Sequence, residues 1–340
     1  MFSNLDKLLN KLKNTKPREL NDHVLLLDSH NTFIRNFVTV KKVLPHNGQH
    51  VGGLVGFLRS LGLLSRVLRP TRVVCVFDGE GGSVNRKNLD PHYKESRQGK
   101  RLVLGTSFGS LAEEKESFRV QVERLQDYLR CLPVSVIKID GFEADDVIAL
   151  IARKLSEKGK SCTIVSTDED YYQLIDDYVD VYNPISKKTY DIHNYQEKVI
   201  VHPTNYAVAK AIVGDKSDDI RGISGVGFKT LVKRLPQFKL PQKLTIDEVM
   251  QYCGDNMDAH DIYSKIVDSW DRIETNHKII DLSYEWLSDR EKAIIFEELR
   301  EVPDINSQIF EMLLSKDRIE GFARNATSWT ENFRHLTLYS

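Results

Sequence analysis

The chain has 340 residues, with 48 basic and 49 acidic side chains, a formal net charge of -1 and 41% hydrophobic residues. This length and composition can bury a large core, and they predict one elaborated α/β domain with a smaller helical one. No apolar run approaches the roughly 20 residues that a membrane-spanning helix requires, so we expect a soluble protein and no membrane association.

Residues 1–21 precede the first predicted strand. Leu5, Leu8, Leu9 and Leu12 recur at helical spacing among lysines, without the apolar core or small-residue cleavage site of a signal peptide. We predict a short amphipathic helix docked on the body, with a membrane or partner contact as the alternative role.

Four continuous apolar runs predict strands that are buried on both faces. These runs are 24–27, 73–77, 134–139 and 162–166. Helical patterns such as 117–130 and 144–158 alternate with them, which predicts βαβ crossovers and a mostly parallel sheet flanked by helices, over residues 22–204. From residue 205 to 340 helical patterns dominate, among them 257–273 and 286–299.

Acidic side chains occur in five packets, each placed where a predicted strand ends. The packets are Asp28; Asp78; Glu143, Asp145 and Asp146; Asp168 and Asp170; and Asp215 with Asp218. Carboxyl ends of parallel strands carry the active sites of such sheets, so we expect these side chains to converge. Oxygen ligands without His or Cys favour Mg²⁺, or Mn²⁺ in its place, over zinc. Two such ions roughly 4 Å apart can activate a water and stabilise the leaving oxygen of a phosphodiester.

Each packet also has a simpler interpretation. A lone Asp after a strand is commonly a helix cap or turn former, and acids in the first turn of a helix interact favourably with its dipole. Three carboxylates in one turn, as in the packet at 143–146, repel one another unless a cation offsets them, which favours metal binding there.

Histidine and cysteine give no sign of a zinc site. The histidines at 23, 30, 46, 50 and 92 have no metal-ligand spacing, and we expect structural or surface roles for them. The four cysteines are far apart without a C-x-x-C pair, so we expect reduced core thiols and a cytoplasmic setting.

Two stretches concentrate positive charge. Residues 84–101 contain six basic residues against two acids, and residues 221–240 contain five and no acid. The first lies in a glycine-punctuated polar loop, and loops of this length in a compact domain are usually functional or mobile. Its Tyr93, Lys94 and Arg97 offer an aromatic face for a base and cations for phosphates, with a solvated charged loop as the alternative.

The second basic stretch contains a glycine-rich turn between predicted helices. Gly222, Gly225 and Gly227 precede Lys229. We predict a hairpin whose exposed amides hold a nucleic-acid phosphate, and a simple helix connection is the alternative.

In this order the motifs resemble the 5′-nuclease superfamily of flap endonucleases, most closely its bacteriophage members, among them the phage ribonuclease H. The resemblance covers about 24–282. The motifs that carry it are Leu27-Asp28, Val76-Phe77-Asp78-Gly79, Gly141-Phe142-Glu143-Ala144-Asp145-Asp146, Ser166-Thr167-Asp168-Glu169-Asp170 and the run 214–222. It implies a PIN-like α/β core, an arch or flexible loop over the site at about 80–115, and a helix-hairpin-helix-type DNA-binding element at about 214–235, with K⁺ as a further cation there.

The resemblance also implies roles for single residues. Ligands of a first metal ion would be Asp78, Glu143, Asp145 and Asp146, with Asp28 acting directly or through water; those of a second would be Asp168, Asp170, Asp215 and Asp218. Lys94 and Arg97 would contact the scissile phosphate. The further DNA-binding residues would be Arg86, Tyr93, Arg221, Gly222, Gly225, Gly227, Lys229 and Lys233.

The chain departs from the family pattern in three places. It has an N-terminal extension of about 20 residues, Asp219 stands where Asn is commoner after Asp218, and Gln308-Ile309-Phe310 lacks the aromatic pair of a clamp-binding box.

The sequence thus predicts a Mg²⁺-dependent structure-specific 5′ nuclease, a flap endonuclease and 5′-3′ exonuclease with ribonuclease H-like primer removal. We expect branched or flapped DNA and RNA–DNA duplex as substrates, in replication and repair, and a monomer in the cytoplasm, of the host if the origin is viral. A single-stranded-DNA-binding protein or sliding clamp is expected as partner by resemblance only.

A haloacid-type phosphatase would need a D-x-D after the first strand, where this chain has Asp28-Ser29-His30. A non-catalytic structure-specific DNA-binding module is the remaining alternative.

Overall fold

A six-stranded sheet forms the centre of the computed structural model, which describes residues 19–40, 50–97, 99–103, 108–319, 322 and 326–339. Its strands, in chain order, are β1 His23–Asp28, β2 Arg72–Asp78, β3 Ser135–Ile139, β4 Ser161–Val165, β5 Val179–Asn183 and β6 Lys188–Tyr190. The spatial order is β3-β2-β1-β4-β5-β6, and only the β5–β6 pair is antiparallel. The four predicted strands and the mostly parallel sheet are confirmed.

Alternation along the strands explains why their apolar runs are continuous. In β1, Val24 and Leu26 enter the apolar cluster on one face of the sheet, whereas Leu25 and Leu27 enter the cluster on the other. Because successive side chains of a strand point to opposite faces, a strand covered on both sides must be apolar at every position.

Helices cover both faces of the sheet. Up to β4 they are α1 Ser29–Thr39, α2 Gly52–Leu68, α3 Val84–Leu89, α4 Leu111–Leu129 and α5 Ala144–Glu157. One face carries α1, α2 and α4, and the other carries α5 together with much of the later helical region.

The later region contains a two-stranded ribbon and the remaining helices. In chain order these are α6 Tyr206–Val213, β7 Gly214–Asp215, β8 Ile220–Arg221, α7 Phe228–Arg234, α8 Ile246–Asp255, α9 Asp261–Asp268, α10 Trp270–Ile280, α11 Asp289–Glu298, α12 Ser307–Lys316 and α13 Ala326–Thr330. No helix in the described ranges is long and apolar enough to cross a bilayer.

One feature of this region differs from the predictions. The single helix predicted at 257–273 is wrong: a 3-10 turn, α9 and the first residues of α10 occupy it, because the side chain of His260 caps a new helix by accepting the amide of Ile262 at 3.2 Å. Near the end of the region, Phe310 and Phe333 pack in the apolar cluster of α1, α2 and α4.

Other expectations concern the termini and the thiols. All four cysteines are free and buried, as expected. The amphipathic helix predicted within residues 1–21 lies almost wholly outside the described residues, which begin at residue 19.

The strand order places a crevice between the carboxyl ends of β1 and β4. The chain continues from β1 towards β2 and β3 on one side and from β4 towards β5 on the other, which makes the β1–β4 pair the point where the winding reverses. Open α/β sheets bind ligands at this point. Asp28 ends β1, and its carboxylate accepts a hydrogen bond from the hydroxyl of Ser166, which follows β4, at 2.9 Å.

Candidate active site

Acids from four of the five predicted packets lie around the buried Tyr171. Burial raises the pKa of this phenol, and the nearby carboxylates Asp28, Asp145, Asp168 and Asp78 raise it further. These four acids come from four different packets. Asp218, from the fifth packet, lies close enough to Asp168 for that carboxylate to raise its pKa, after the larger effect of burial.

The packet at the start of α5 surrounds a buried arginine. The guanidinium of Arg86, only 2% exposed, donates to Glu143 and to Asp146 at 2.8 Å each, and to Asp145 at 3.4 Å. Its Nε donates to the carbonyl of Ile279 at 3.0 Å, at the end of α10. Burial alone would lower the pKa of Arg86, but the surrounding acids raise it well above its usual value.

This placement corrects the expectation that Arg86 binds DNA. The Arg86 side chain is 2% exposed, and its N–H groups donate to three carboxylates and a carbonyl. A nucleic acid therefore cannot reach it. Tyr93 needs the same correction: it is 3% exposed, and its hydroxyl donates to Glu143 at 3.0 Å, so its ring is not presented to a base.

Lys94 links the packet at 143–146 to the last packet. Its ammonium group contacts Glu143 at 2.6 Å and Asp218 at 3.8 Å. Arg97 also forms an ion pair with Asp218, and its side chain is 52% exposed. The two cations predicted to contact a phosphate therefore lie at the acidic centre.

Asp28 and Asp78 also serve as local caps, as the simpler interpretation predicted. Asp28 accepts the amide of Asn31 at 3.1 Å, which caps α1, and Asp78 accepts the amide of Ala144 at 2.8 Å, at the start of α5. Burial raises the pKa of Asp28 to about 7, with Asp78 as the next contribution. Capping and metal binding are therefore compatible uses of the same carboxylates.

His30 is a site neighbour that the sequence analysis set aside. Its Nδ1 accepts the amide of Asp78 at 2.9 Å and lies 3.4 Å from that residue's carboxylate. Burial lowers the pKa of His30, although Asp78 opposes this. Since Nδ1 accepts a hydrogen bond, the ring is neutral with its proton on Nε2.

A second group of acids has the spacing of a metal site. Oxygen atoms of Asp170, Asp215 and Asp218 lie within 4.8 Å of one another. Asp168, the fourth predicted member, caps the following 3-10 turn by accepting the amide of Asp170 at 2.9 Å. Burial raises the pKa of Asp170 to about 7, and Lys210 opposes the shift.

Lys210 is a member of this group that sequence reasoning missed. It is 5% exposed on α6, and its ammonium contacts Asp215 at 2.6 Å and also pairs with Asp170. Burial opposes ionisation of Asp215, but Lys210 and Ser217 lower its pKa overall. The available signal was one charged residue within the apolar run of α6.

The last packet does not follow a strand of the main sheet, contrary to the prediction. Asp215 follows α6 and belongs to the ribbon β7–β8, and Gly214 makes the turn at a φ of +81°. A side chain at Gly222 would place its Cβ 1.9 Å from the carbonyl of Val213, so glycine is required for this close approach.

The charge of the site fits divalent cations. Six of the nine predicted carboxylates contact four cationic side chains, namely Arg86, Lys94, Arg97 and Lys210. With all nine ionised, nine carboxylates against four cations leave five negative charges. An excess of buried carboxylates raises their pKa values unless cations compensate it. Two divalent ions would supply four positive charges, and the donor set is all oxygen.

The glycine-rich turn at 222–227, called the hairpin here, lies between β8 and α7. Ser224, Gly225 and Gly227 are exposed, as are Lys229 and Lys233 one turn apart on α7. A cavity of about 1110 Å³ separates this hairpin from His92, Glu95 and Ser96, and Arg221 and Arg272 contribute to its lining. The surface that could take a phosphate backbone therefore adjoins the acidic site.

Solved structures share this fold. The structure of bacteriophage T5 5′-exonuclease with bound zinc aligns with a TM-score of 0.62 and 18% identity, over 88% of this chain and all of that one. The T5 protein co-crystallised with metal ions gives a TM-score of 0.61 and 19% identity, over 91% of this chain and 99% of that one. At these identities the likeness establishes the fold alone.

Sequence comparison identifies the family. A 5′-3′ exonuclease of Aquifex aeolicus is 30% identical over 213 residues, which are 63% of this chain and 68% of that protein. The thermostable DNA polymerase I of Thermus aquaticus is 28% identical over 278 residues, 80% of this chain but 31% of the polymerase. The model of the 5′-3′ exonuclease N-terminal resolvase-like domain matches residues 23–200. The chain belongs to the 5′-3′ exonuclease family of nucleases.

Proposed function

We propose that this protein is a structure-specific 5′ nuclease that uses Mg²⁺ to hydrolyse phosphodiesters at the 5′ ends and flaps of branched DNA and RNA–DNA duplex. The observation that carries the proposal is the meeting of five acidic packets at the β1–β4 crevice, beside a basic hairpin. The T5 flap endonuclease was crystallised in complex with DNA and metal ions, which supports the same pairing of ligands here.

The residues fall into two ligand groups. Asp78, Glu143, Asp145 and Asp146 would hold one ion, with Asp28 beside them, and Asp168, Asp170, Asp215 and Asp218 would hold the other. When bound, such a metal pair supplies an activated water and stabilises the leaving oxygen. Arg86 and Lys210 offset the remaining charge and fix the carboxylates in place.

The proposed role of Lys94 and Arg97 is to bind the reacting phosphate. Lys94 pairs with Glu143 and Arg97 pairs with Asp218, at the acidic centre. Both acids are proposed metal ligands, so a bound divalent ion would take over the charge compensation and free the two cations for the phosphate. A cation fixed near the reacting phosphate stabilises the negative charge that develops in the transition state. Mutation of either residue should therefore reduce the rate of cleavage more than the affinity for duplex.

Duplex binding is the proposed role of the hairpin. Replacing both Lys229 and Lys233 by Ala removes two exposed cations of α7. We expect weaker binding of a flap substrate and a salt dependence that is shallower by roughly 2 in log–log slope, since each phosphate contact contributes about 0.9. Fluorescence anisotropy at several salt concentrations, in Ca²⁺, measures both quantities.

The matched control is the double variant Lys158→Ala and Lys187→Ala, which removes two exposed lysines that lie outside the arch and the hairpin. It should retain the wild-type slope. An unchanged slope for the α7 variant, or an equal loss in the control, would show that the hairpin is not the duplex contact.

The activity itself is tested with a 5′-labelled substrate set: a flap, a nicked duplex, a single strand and an RNA-primed duplex. Each is incubated with Mg²⁺, Mn²⁺, Zn²⁺ or EDTA. We expect cleavage near the flap junction with Mg²⁺ and none with EDTA. Flap binding without cleavage under any of these metals would favour the alternative, a non-catalytic DNA-binding module.

The remaining parts of the proposal concern partners and assembly. A single-stranded-DNA-binding protein or a sliding clamp is the proposed protein partner, K⁺ is the proposed further cation at the hairpin, and the proposed state is a monomer. All three rest on the family resemblance, and co-sedimentation with the partner proteins tests the first.

A further inference from the structure

Two segments from different parts of the chain are joined by hydrogen bonds beside the acidic site. We call residues 92–97 the arch root and residues 215–219 the acidic loop. The backbone amide of Lys94 donates to the carbonyl of Asp218 at 2.9 Å, and the Nε of Arg97 donates to the carbonyl of Ser217 at 3.2 Å. The position of the arch root is therefore determined by the acidic loop.

Asp219 provides the side-chain contact in this junction. Its carboxylate accepts the backbone amide of Ser96 at 2.7 Å. The pKa of Asp219 lies below its usual value. The largest cause is the contact with the Ser96 amide, followed by the nearby Ser96 hydroxyl, and the cations Lys100 and Arg97 act in the same direction.

The contact has the geometry of a helix cap supplied from elsewhere in the chain. Ser96 lies in the 3-10 turn Glu95–Arg97. The amide of Glu95 donates to the carbonyl of His92, whereas the amide of Ser96 donates to Asp219. An Asp or Asn oxygen is well suited to such amides. Asp219 reaches them from a left-handed backbone conformation, φ +60°, which Asp and Asn tolerate better than most residues.

The cap lies between the two phosphate-directed cations in sequence. Lys94 precedes Ser96 by two residues and contacts Glu143 at 2.6 Å, and Arg97 follows it and pairs with Asp218. If the 3-10 turn moved away from the acidic loop, both cations would leave the acidic centre together. The contact between Asp219 and Ser96 therefore acts with the bonds of Lys94 and Arg97 to the acidic loop in fixing the orientation of these side chains.

We propose that Asp219 is a positioning residue: by capping the arch root, it holds Lys94 and Arg97 over the acidic site. The inference rests on the proposed nuclease function for its catalytic consequence. Its structural part, the attachment of the arch root, does not depend on that function. The side-chain oxygen, which Asn also offers, is the essential feature.

Three variants separate the contributions. Asp219→Ala removes the cap, Asp219→Asn keeps an oxygen acceptor but removes the charge, and Glu95→Gln is the matched control. Glu95 lines the same cavity as Asp219 but pairs with His92, so its replacement changes the local charge and leaves the cap intact. Thermal unfolding of each variant shows whether the fold is retained.

The first measurement is amide hydrogen exchange of residues 92–97 without DNA or added metal. We expect about tenfold faster exchange in Asp219→Ala, since a hydrogen bond to a charged group is lost, and near wild-type exchange in Asp219→Asn and Glu95→Gln. Equal exchange in wild type and Asp219→Ala would overturn the proposal, as would equally fast exchange in the Ala and Asn variants.

The second measurement is single-turnover cleavage of the flap at saturating enzyme. Asp219→Ala should lower the cleavage rate about tenfold while the Kd for the flap in Ca²⁺ changes by less than about twofold, because the cap acts on transition-state contacts. Asp219→Asn should restore the rate to within about threefold of wild type. A purely structural role would instead lower the folded fraction without changing the rate of the folded enzyme, and that outcome overturns the inference. If wild type cleaves nothing, the proposed function fails, and the exchange experiment still decides the position of the arch root.

Discussion

Replacing Asp145 by Asn should reduce the cleavage rate by about 1000-fold or more and leave flap binding in Ca²⁺ nearly unchanged. Asp145 is one of the three carboxylates at the start of α5, and burial raises its pKa well above the usual value despite the opposing effect of Arg86. Asn has nearly the same shape but no charge, so the group that would hold a divalent ion loses one anionic ligand. A catalytic metal contributes several kcal/mol to transition-state stabilisation, which corresponds to this loss in rate.

The matched control for this variant is Asp140→Asn. Asp140 lies just after β3, only a few residues from Asp145, but its side chain is 70% exposed and pairs with Lys138 at 3.7 Å. We expect its cleavage rate to stay within about twofold of wild type. Single-turnover cleavage at several Mg²⁺ concentrations gives both the rate and the metal requirement. Near wild-type cleavage by Asp145→Asn would remove this residue from the catalytic site.

The parts of the site that the sequence predicted are those with a local signal. Asp28 and Asp78 each end a run of apolar residues, and such a run is a strand whichever other strands it pairs with. Once parallel strands are predicted, their carboxyl ends must lie at one edge of the sheet, so these acids are brought together without further information.

The cations of the site could not be predicted in the same way. Arg86 lies 57 residues before Glu143 and 60 before Asp146, and Lys210 lies 40 residues after Asp170. Nothing in the sequence separates Arg86 from its neighbour Lys87. Their different environments arise because α3 packs against α10, where the carbonyl of Ile279 accepts the Nε of Arg86. A basic residue in a basic stretch is most simply interpreted as DNA-binding, and tertiary packing overrides that interpretation here.

Replacing Arg86 by Met should destabilise the protein by about 3–5 kcal/mol, a large part of the roughly 5–15 kcal/mol by which a domain is stable. Met retains apolar contacts, but Glu143, Asp145 and Asp146 lose the guanidinium that offsets their charge. Burial already raises the pKa values of Asp145 and Asp146, and Arg86 opposes that rise. Chemical denaturation with added EDTA measures the loss of stability.

Lys87→Met is the matched control, because it changes the next residue of α3, which is only partly buried, and it should alter the unfolding free energy by about 0.5 kcal/mol or less.

The pH dependence of the unfolding free energy distinguishes uncompensated charge from a packing defect. A carboxyl whose pKa is raised in the folded protein destabilises it most at pH values above that raised pKa, and the penalty disappears as the pH falls towards the unfolded value. The deficit of Arg86→Met should therefore shrink on acidification. Since a cavity or a lost apolar contact costs the same at each pH, a deficit that stayed constant would show that Arg86 acts by packing and not as the counter-ion of these acids.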